Sequence, residues 1–349
     1  MMIVLKRIAA VVLSLLILLA CAACASERKV DSLTYALFPY LPDVEYYQEL
    51  IERRWAEIEP EIRLVRADWD CYTDDAPKDI DVVMYDAVMQ NALIANGWIK
   101  PIAEDAVQDA EDLFPFAVDG LFADGKLYGI PVFLCGNFLI YDRSCDVLAN
   151  AEHITDLADE TEFLVINSDD AETRAEYFRE VLADTLGEAN PAAGKSNGRT
   201  DAIMALIDRL AIDVHAQDQP EQVACAYDAG AGMGYISFSE TMRFLERRGS
   251  TTDIKSVSFG DGENLPRLYV DAVSVTSGVD GMRYEKCIEL MNVIADADIL
   301  TSLSVQDGKP QYLLLARKSA YAALTERFPL YRKLEEIASN EQNCTILGQ

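Results

Sequence analysis

Residues 32–67, SLTYALFPYLPDVEYYQELIERRWAEIEPEIRLVRA, decide the fold. Ser32 to Phe38 alternates as a strand does and runs into the turn sequence Pro39-Tyr40-Leu41-Pro42-Asp43. Tyr46 to Ile58 then repeats its apolar residues at helical spacing, and Ile62 to Ala67 reads as a second strand. After a short polar connection, Asp81 to Tyr85 supplies a third. Strand, helix, strand, connection, strand opens a lobe built on βαβ units, so the predicted class is α/β.

Working outward, the spacing predicts a helix from Asp86 to Asn96, stopped at Gly97, with Trp98 to Ile102 extended along the surface. Leu127 to Val132 and Leu134 to Asp142 are extended stretches flanking Cys135, as expected where a chain crosses between two lobes. Glu188 to Arg199 is polar and turn-rich, a surface loop inside the second lobe. Met233 to Phe238 reads as a strand, Glu240 to Arg248 as a helix, Leu268 to Val275 as the return crossing, Tyr284 to Ala295 as an amphipathic helix, and the C-terminal part as helical. The expected organisation is lobe 1 from 31–136 and 265–320, lobe 2 from 137–264, and a C-terminal helical segment, 321–349. A mature chain of about 325 residues is long enough for two cores.

Residues 1–26 read as an export signal. Lys6 and Arg7 precede the apolar run Ile8 to Ala20, small residues follow, and no acidic residue appears before Glu27. Leu18-Leu19-Ala20-Cys21 resembles a lipobox, which makes Cys21 the favoured lipidation site; Cys24 is a second candidate, and an ordinary signal peptide with incidental cysteines is the alternative. The expected location is therefore outside the cytoplasm, with the membrane reached only through a lipid anchor.

The 59 acidic residues outnumber the 30 basic ones, and loss of Lys6 and Arg7 leaves 28 basic residues and a net charge of −31. Nucleic acid is excluded as a partner on these grounds, and a cationic ligand is favoured over a phosphate-rich one. Most of this charge also serves solubility, whatever the ligand, and a monomer is the default expectation. Six of the eight cysteines lie beyond the signal: Cys71, Cys135, Cys145, Cys225, Cys287 and Cys344. Their spacing is not that of a disulfide scaffold, although Cys71 and Cys145 could pair with one another or with others. The mature part has no CxxC, and the histidines are His153 and His215 alone, so neither a metal site nor a cofactor is expected.

Several local clusters fall at the ends of predicted strands, where open α/β sheets present ligand-binding groups. They are Phe38-Pro39-Tyr40, Asp68-Trp69-Asp70-Cys71-Tyr72, Tyr85-Asp86, Leu134-Cys135-Gly136-Asn137, Ser237-Phe238-Ser239-Glu240 and Tyr269-Val270-Asp271. Aromatic faces carry negative charge density and carboxylates supply counter-charge, a combination suited to a flat cation.

In that order, and with Glu57-Ile58-Glu59-Pro60, Asp81-Val82-Val83-Met84-Tyr85-Asp86, Gly125-Lys126-Leu127-Tyr128-Gly129-Ile130-Pro131 and Tyr235 to Met242, these segments resemble thiaminase I, a thiamine-cleaving transferase family on a type II periplasmic binding protein scaffold. The resemblance spans almost the whole mature chain; the Cys and the Ser-x-Ser-Glu together are its selective part. It implies a two-lobed fold with a central ligand cleft. It also implies that Cys135 adds covalently to the pyrimidine of thiamine or a close analogue, that the thiazole leaves, and that an external amine, pyridine or thiol takes its place. Glu240 is then the base that takes the thiol proton, as a thiol near neutral pH requires. Asp86 and Asp271 would hold the aminopyrimidine, Asp70 would assist at the mouth, and Tyr40, Tyr72 and Tyr269 would line the cleft. Two positions depart from the family pattern: Gly136 stands where Thr is common, and Phe238 where Tyr is usual. The lost hydroxyls bear on substrate orientation more than on the reaction class.

Each of these residues also has a plainer reading. Cys135 alone reads as a small buried residue, Glu240 as the first-turn acid of a helix capped by Ser239 or Ser237, and each Tyr as partly buried packing. Asp68, Asp70, Asp74 and Asp75 lack the spacing of a calcium loop. The rival functions are a non-catalytic lipoprotein that captures thiamine or a pyrimidine for an importer, and a generic sugar or polyamine receptor of the same fold.

Overall fold

The structure, a computed structural model, describes residues 30–167, 198–214, 220–256 and 267–347. The export signal, the lipidation site Cys21, His215 and the Glu188–Arg199 loop up to residue 197 lie outside the described residues.

The opening stretch folds as its pattern demands. In strand β1 (Ser32–Ala36) Leu33 and Tyr35 are fully buried. The helix Val44–Ile58 begins at Asp43, whose carboxylate accepts from the Tyr46 amide at 3.3 Å, satisfying a donor that a helix start leaves free. Tyr47, Leu50, Ile51 and Trp55 form its buried stripe. Trp55 Nε1 donates to the Ile62 carbonyl at 2.9 Å, which folds the chain back into β2 (Arg63–Arg66). β3 (Val82–Asp86) is buried at all five positions, as a strand covered on both faces must be.

A short hairpin, β4 (Phe122–Ala123) and β5 (Lys126–Leu127), precedes β6 (Ile130–Cys135). The chain then leaves the first sheet at Gly136-Asn137 and enters the second with β7 (Phe138–Asp142). The second sheet is completed by β8 (Leu164–Asn167), β9 (Ala211–Val214), β10 (Gly234–Ser237) and β11 (Thr252–Lys255) in the order β11-β7-β10-β8-β9. β12 (Arg267–Val275) lies in the first sheet again. Further on come β13 (Val305–Gln306) paired with β14 (Lys309–Pro310), then β15 (Leu314–Leu315) and β16 (Cys344–Thr345).

The first sheet has seven strands, ordered β15-β6-β12-β3-β1-β2, with β16 added alongside β12. β1 is parallel to β2 and β3, whereas β12 is antiparallel to both β3 and β6. β7 shows how the two sheets share their interior. Phe138 and Ile140 join the large core beneath the first sheet, while Leu139 and Tyr141 join a smaller one with Leu148, Ile154, Leu164 and Ile207. Alternation along one strand thus serves two cores.

Two elements differ from the sequence expectation. In place of a helix from Glu240 to Arg248, only a 3-10 segment, Ser239–Phe244, forms. The Asp228 carboxylate accepts from the amides of Arg247 and Arg248, so those donors are lost to helical bonding. The C-terminal part contains the helices Ser319–Arg327 and Leu330–Ala338 but ends as a strand, since Ile346 donates to the Leu268 carbonyl and β16 pairs with β12.

Candidate active site

Strand register assembles the site. Asp86 at the end of β3 lies opposite Asp271 on β12, and Tyr269 on β12 lies opposite Cys135 at the end of β6. Directly paired residues project from the same face of a sheet. Asp86, Asp271, Tyr269 and Cys135 therefore stand together on one face, across three adjacent strands. A bulge between Asp271 and Ala272 offsets the β12–β6 ladder just beyond them, an irregularity that re-aims side chains beside a site.

The carboxylates are unequal. Asp86 is buried, and it accepts from the Tyr72 hydroxyl at 2.7 Å and from the Val88 amide at 2.9 Å, capping the 3-10 turn Ala87–Met89. Asp271 is equally buried, yet its Oδ1 has no hydrogen-bond partner among the described residues. Burial, then the charges of Asp86 and Glu240, push the Asp271 carboxyl well above the ordinary aspartate range. Of the two facing carboxyls, Asp271 is thus the one that burial and charge favour in its protonated form, while Asp86 accepts from two donors. The Tyr72 phenol is itself driven far up by burial and by Asp86, so it remains a donor.

Glu240 comes from the other sheet, on the 3-10 segment after β10. Burial raises its carboxyl. Neither nearby serine caps this segment as expected: the Ser239 hydroxyl donates to the Tyr312 carbonyl at 2.8 Å, and Thr241 Oγ1 donates to the Phe238 carbonyl at 2.7 Å. Cys135 is half-buried, and its thiol is held well above 9 by burial and then by Asp271, Asp86 and Glu240. Unaided, it is a thiol and a poor nucleophile. No disulfide joins the described cysteines, Cys71 and Cys145 included; Cys71 is buried, and burial pushes its thiol up to about 12.

Around this patch lies an aromatic group. Phe38 and Tyr40 meet edge to face at 5.2 Å, and Tyr72 lies 6.1 Å from Phe38 and 6.3 Å from Tyr40. Tyr40 is 63% exposed and Tyr72 45%, far above what packing alone gives such rings. Asp70 organises this wall: it accepts from the Tyr40 hydroxyl at 2.8 Å, the Tyr72 amide at 2.9 Å and Thr73 Oγ1 at 3.1 Å. Its place is thus in the loop that carries the rings, one step from the Asp86–Asp271 pair. The sequence marked Phe38 only as part of the Phe38-Pro39-Tyr40 cluster and missed Tyr312, whose carbonyl accepts from Ser239. The alternation of rings through Phe38-Pro39-Tyr40 was a signal for the first; nothing local marks the second.

No family model matches the chain. A thiaminase-1 of Paenibacillus thiaminolyticus is 29% identical to it over 95% of this chain and 88% of that one. Clostridium botulinum thiaminase I, solved in complex with thiamin, superposes with a TM-score of 0.81 at 28% identity, covering 90% of this chain and 94% of its own. The chain is a thiaminase I homologue. A maltodextrin-binding protein of L. casei, at 12% identity and a TM-score of 0.64, is covered over 88% of its chain and 92% of this one, a likeness of fold alone. The Cys135 thiol stands on the face that carries Asp86 and Asp271, and Glu240 on the other sheet is near enough to raise it.

Proposed function

We propose that this chain is a thiaminase I-type transferase that cleaves thiamine or a close pyrimidine analogue, with Cys135 as nucleophile and Glu240 as base. The observation that carries the assignment of roles is the strand register that sets Cys135 on one face with Tyr269, Asp271 and Asp86; burial, then those carboxyls and Glu240, push its thiol up. A thiol held up first by burial and then by acidic neighbours suits a cationic substrate. A thiazolium seated among them offsets the negative charge that opposes thiolate formation, so the nucleophile is released only when substrate is bound.

The steps balance as follows. The Glu240 carboxylate takes the thiol proton, and sulfur bonds to an electron-poor carbon of the pyrimidine ring. The added electron density expels the thiazole from the bridging methylene, the C–N bonding pair leaving with it. An external nucleophile bonds to the methylene carbon and gives any proton it carries to solvent, the C–S bond breaks with its pair going to sulfur, and Glu240 returns its proton to restore the thiol. Asp271, protonated and with an oxygen unspent, is suited to the aminopyrimidine, and Asp86 balances charge beside it. Tyr40, Tyr72 and Tyr269 supply walls for flat rings. Export, with Cys21 as lipid anchor, completes the proposal: the amino-terminal pattern supports it, and among the described residues no helix is long and apolar enough to cross a membrane.

The experiment is to give purified protein thiamine with aniline or a pyridine and to follow thiazole release. Release is expected, and Cys135→Ser should abolish it while thiamine still binds. Tight binding without release by the parent protein would turn the reading to a capture protein; undiminished release by Cys135→Ser would remove the nucleophile.

A further inference from the structure

Ser239 precedes the proposed base in sequence, and its side chain is only 1% exposed. Its hydroxyl donates to the carbonyl of Tyr312, a residue that lies between β14 and β15 of the other lobe. Tyr312 is held at φ 55, a left-handed conformation that a bulky residue adopts only when its surroundings enforce it. Its ring is clamped by stacking on Tyr331, centroids 5.8 Å apart and planes 24° apart. Two residues later, Leu314 pairs with Leu134 and Leu315 with Phe133, on the strand that ends in Cys135. The path from base to nucleophile is therefore short, with a single side-chain hydrogen bond, from Ser239, as its only link that is not backbone. It runs from Glu240 to Ser239, by one hydrogen bond to Tyr312, along β15, and by one rung to the residue before Cys135.

We propose that Ser239 is a positioning residue: its hydrogen bond to the strained Tyr312 carbonyl latches the second lobe to β15, the strand bonded to β6, and sets Glu240 in register with Cys135. A buried hydroxyl with one well-made bond across two lobes fixes a distance that neither lobe fixes alone, and proton transfer depends steeply on that distance. Tyr312, conformationally costly in itself, is the rigid end of the latch. The inference rests on the thiaminase-type reading only for what Glu240 does; the latch itself is a matter of geometry.

The test compares Ser239→Ala, which removes the donor, with Ser239→Thr, which keeps it. Two readouts are taken on the full mature chain: steady-state thiamine cleavage with aniline, and the pH profile of Cys135 alkylation by iodoacetamide, followed on the Cys135 peptide by mass spectrometry. For Ser239→Ala, kcat should fall about tenfold or more while KM for thiamine stays within about twofold, because an interaction serving the proton transfer is lost and binding is not. The alkylation midpoint should move to lower pH, since a displaced Glu240 no longer opposes the thiolate. Ser239→Thr should recover most of both. Unchanged kcat in the Ala variant, equal impairment in the Thr variant, or an Ala variant that does not fold would each overturn the latch. If the parent protein releases no thiazole, the functional reading fails instead, and the alkylation profile alone still decides the latch.

Discussion

Asp271→Asn should make the protein more stable and less active. The Asp271 side chain is buried with one oxygen unpartnered, opposite Asp86 on β3, and it feels Glu240 from the second lobe. Paired side chains in a sheet sit about 5 Å apart, and two unit charges at that distance repel by about 3 kcal/mol at an effective dielectric of about 20. Folding avoids this by keeping a proton on Asp271 that the unfolded chain releases above about pH 4. The sign follows. A carboxyl whose folded value is raised costs nothing below the unfolded value, and costs progressively more as pH climbs towards the folded one. Asparagine is neutral at every pH, and its amide can donate towards Asp86. The gain expected at pH 7 is about 1–3 kcal/mol. In a chain of this size that is a rise in Tm of roughly 1–4 °C. At pH 4 the gain should shrink towards zero. Thermal unfolding of parent and variant at both pH values, beside thiamine turnover at pH 7, is the assay. A lower Tm for the variant at pH 7, or the same gain at both pH values, would refute the argument that charge and proton are what Asp271 contributes.

Two further variants probe neighbouring contacts. Tyr72→Phe removes the 2.7 Å donor to Asp86 but keeps the ring, so KM for thiamine should rise roughly 5–30-fold, the equivalent of about 1–2 kcal/mol, with little change in fold, as steady-state kinetics and circular dichroism will show. Gly136→Ala places a Cβ 3.0 Å from Leu268 Cδ2 and 3.3 Å from Phe138 Cζ, both buried; overpacking of this kind should cost about 1–3 kcal/mol in urea unfolding, and a neutral result would mean that Leu268 yields freely.

The lobe around residues 32–86 was legible because its signals are local. The alternation of Leu33 and Tyr35, the stripe Tyr47, Leu50, Ile51 and Trp55, and the apolar run of β3 each encode their own element. The candidate residues were legible as strand ends, but their mutual arrangement was not. Nothing near Asp86 announces that Asp271 will face it, because an antiparallel rung between residues so distant in sequence is set by the whole sheet. Glu240 illustrates a different limit. Its surroundings carry helical spacing, and the helix fails because Asp228, far back in sequence, captures the amides of Arg247 and Arg248. Tyr312 had no signal at all, since a strained backbone is a property of the packed structure.

β12 has a consequence for how this protein can vary. One strand carries Tyr269 and Asp271 and is bonded on one side to the strand of Asp86 and on the other to that of Cys135. Loops joining these strands can lengthen or shorten at little cost, because the ladder, not the loops, holds the spacing. A single residue inserted or deleted within β12 upstream of Tyr269 is different: re-registered, it would turn both side chains to the opposite face at once. Length variation is thus tolerable in the loops around this chemistry and costly within β3, β6 and β12, the strands whose register holds it.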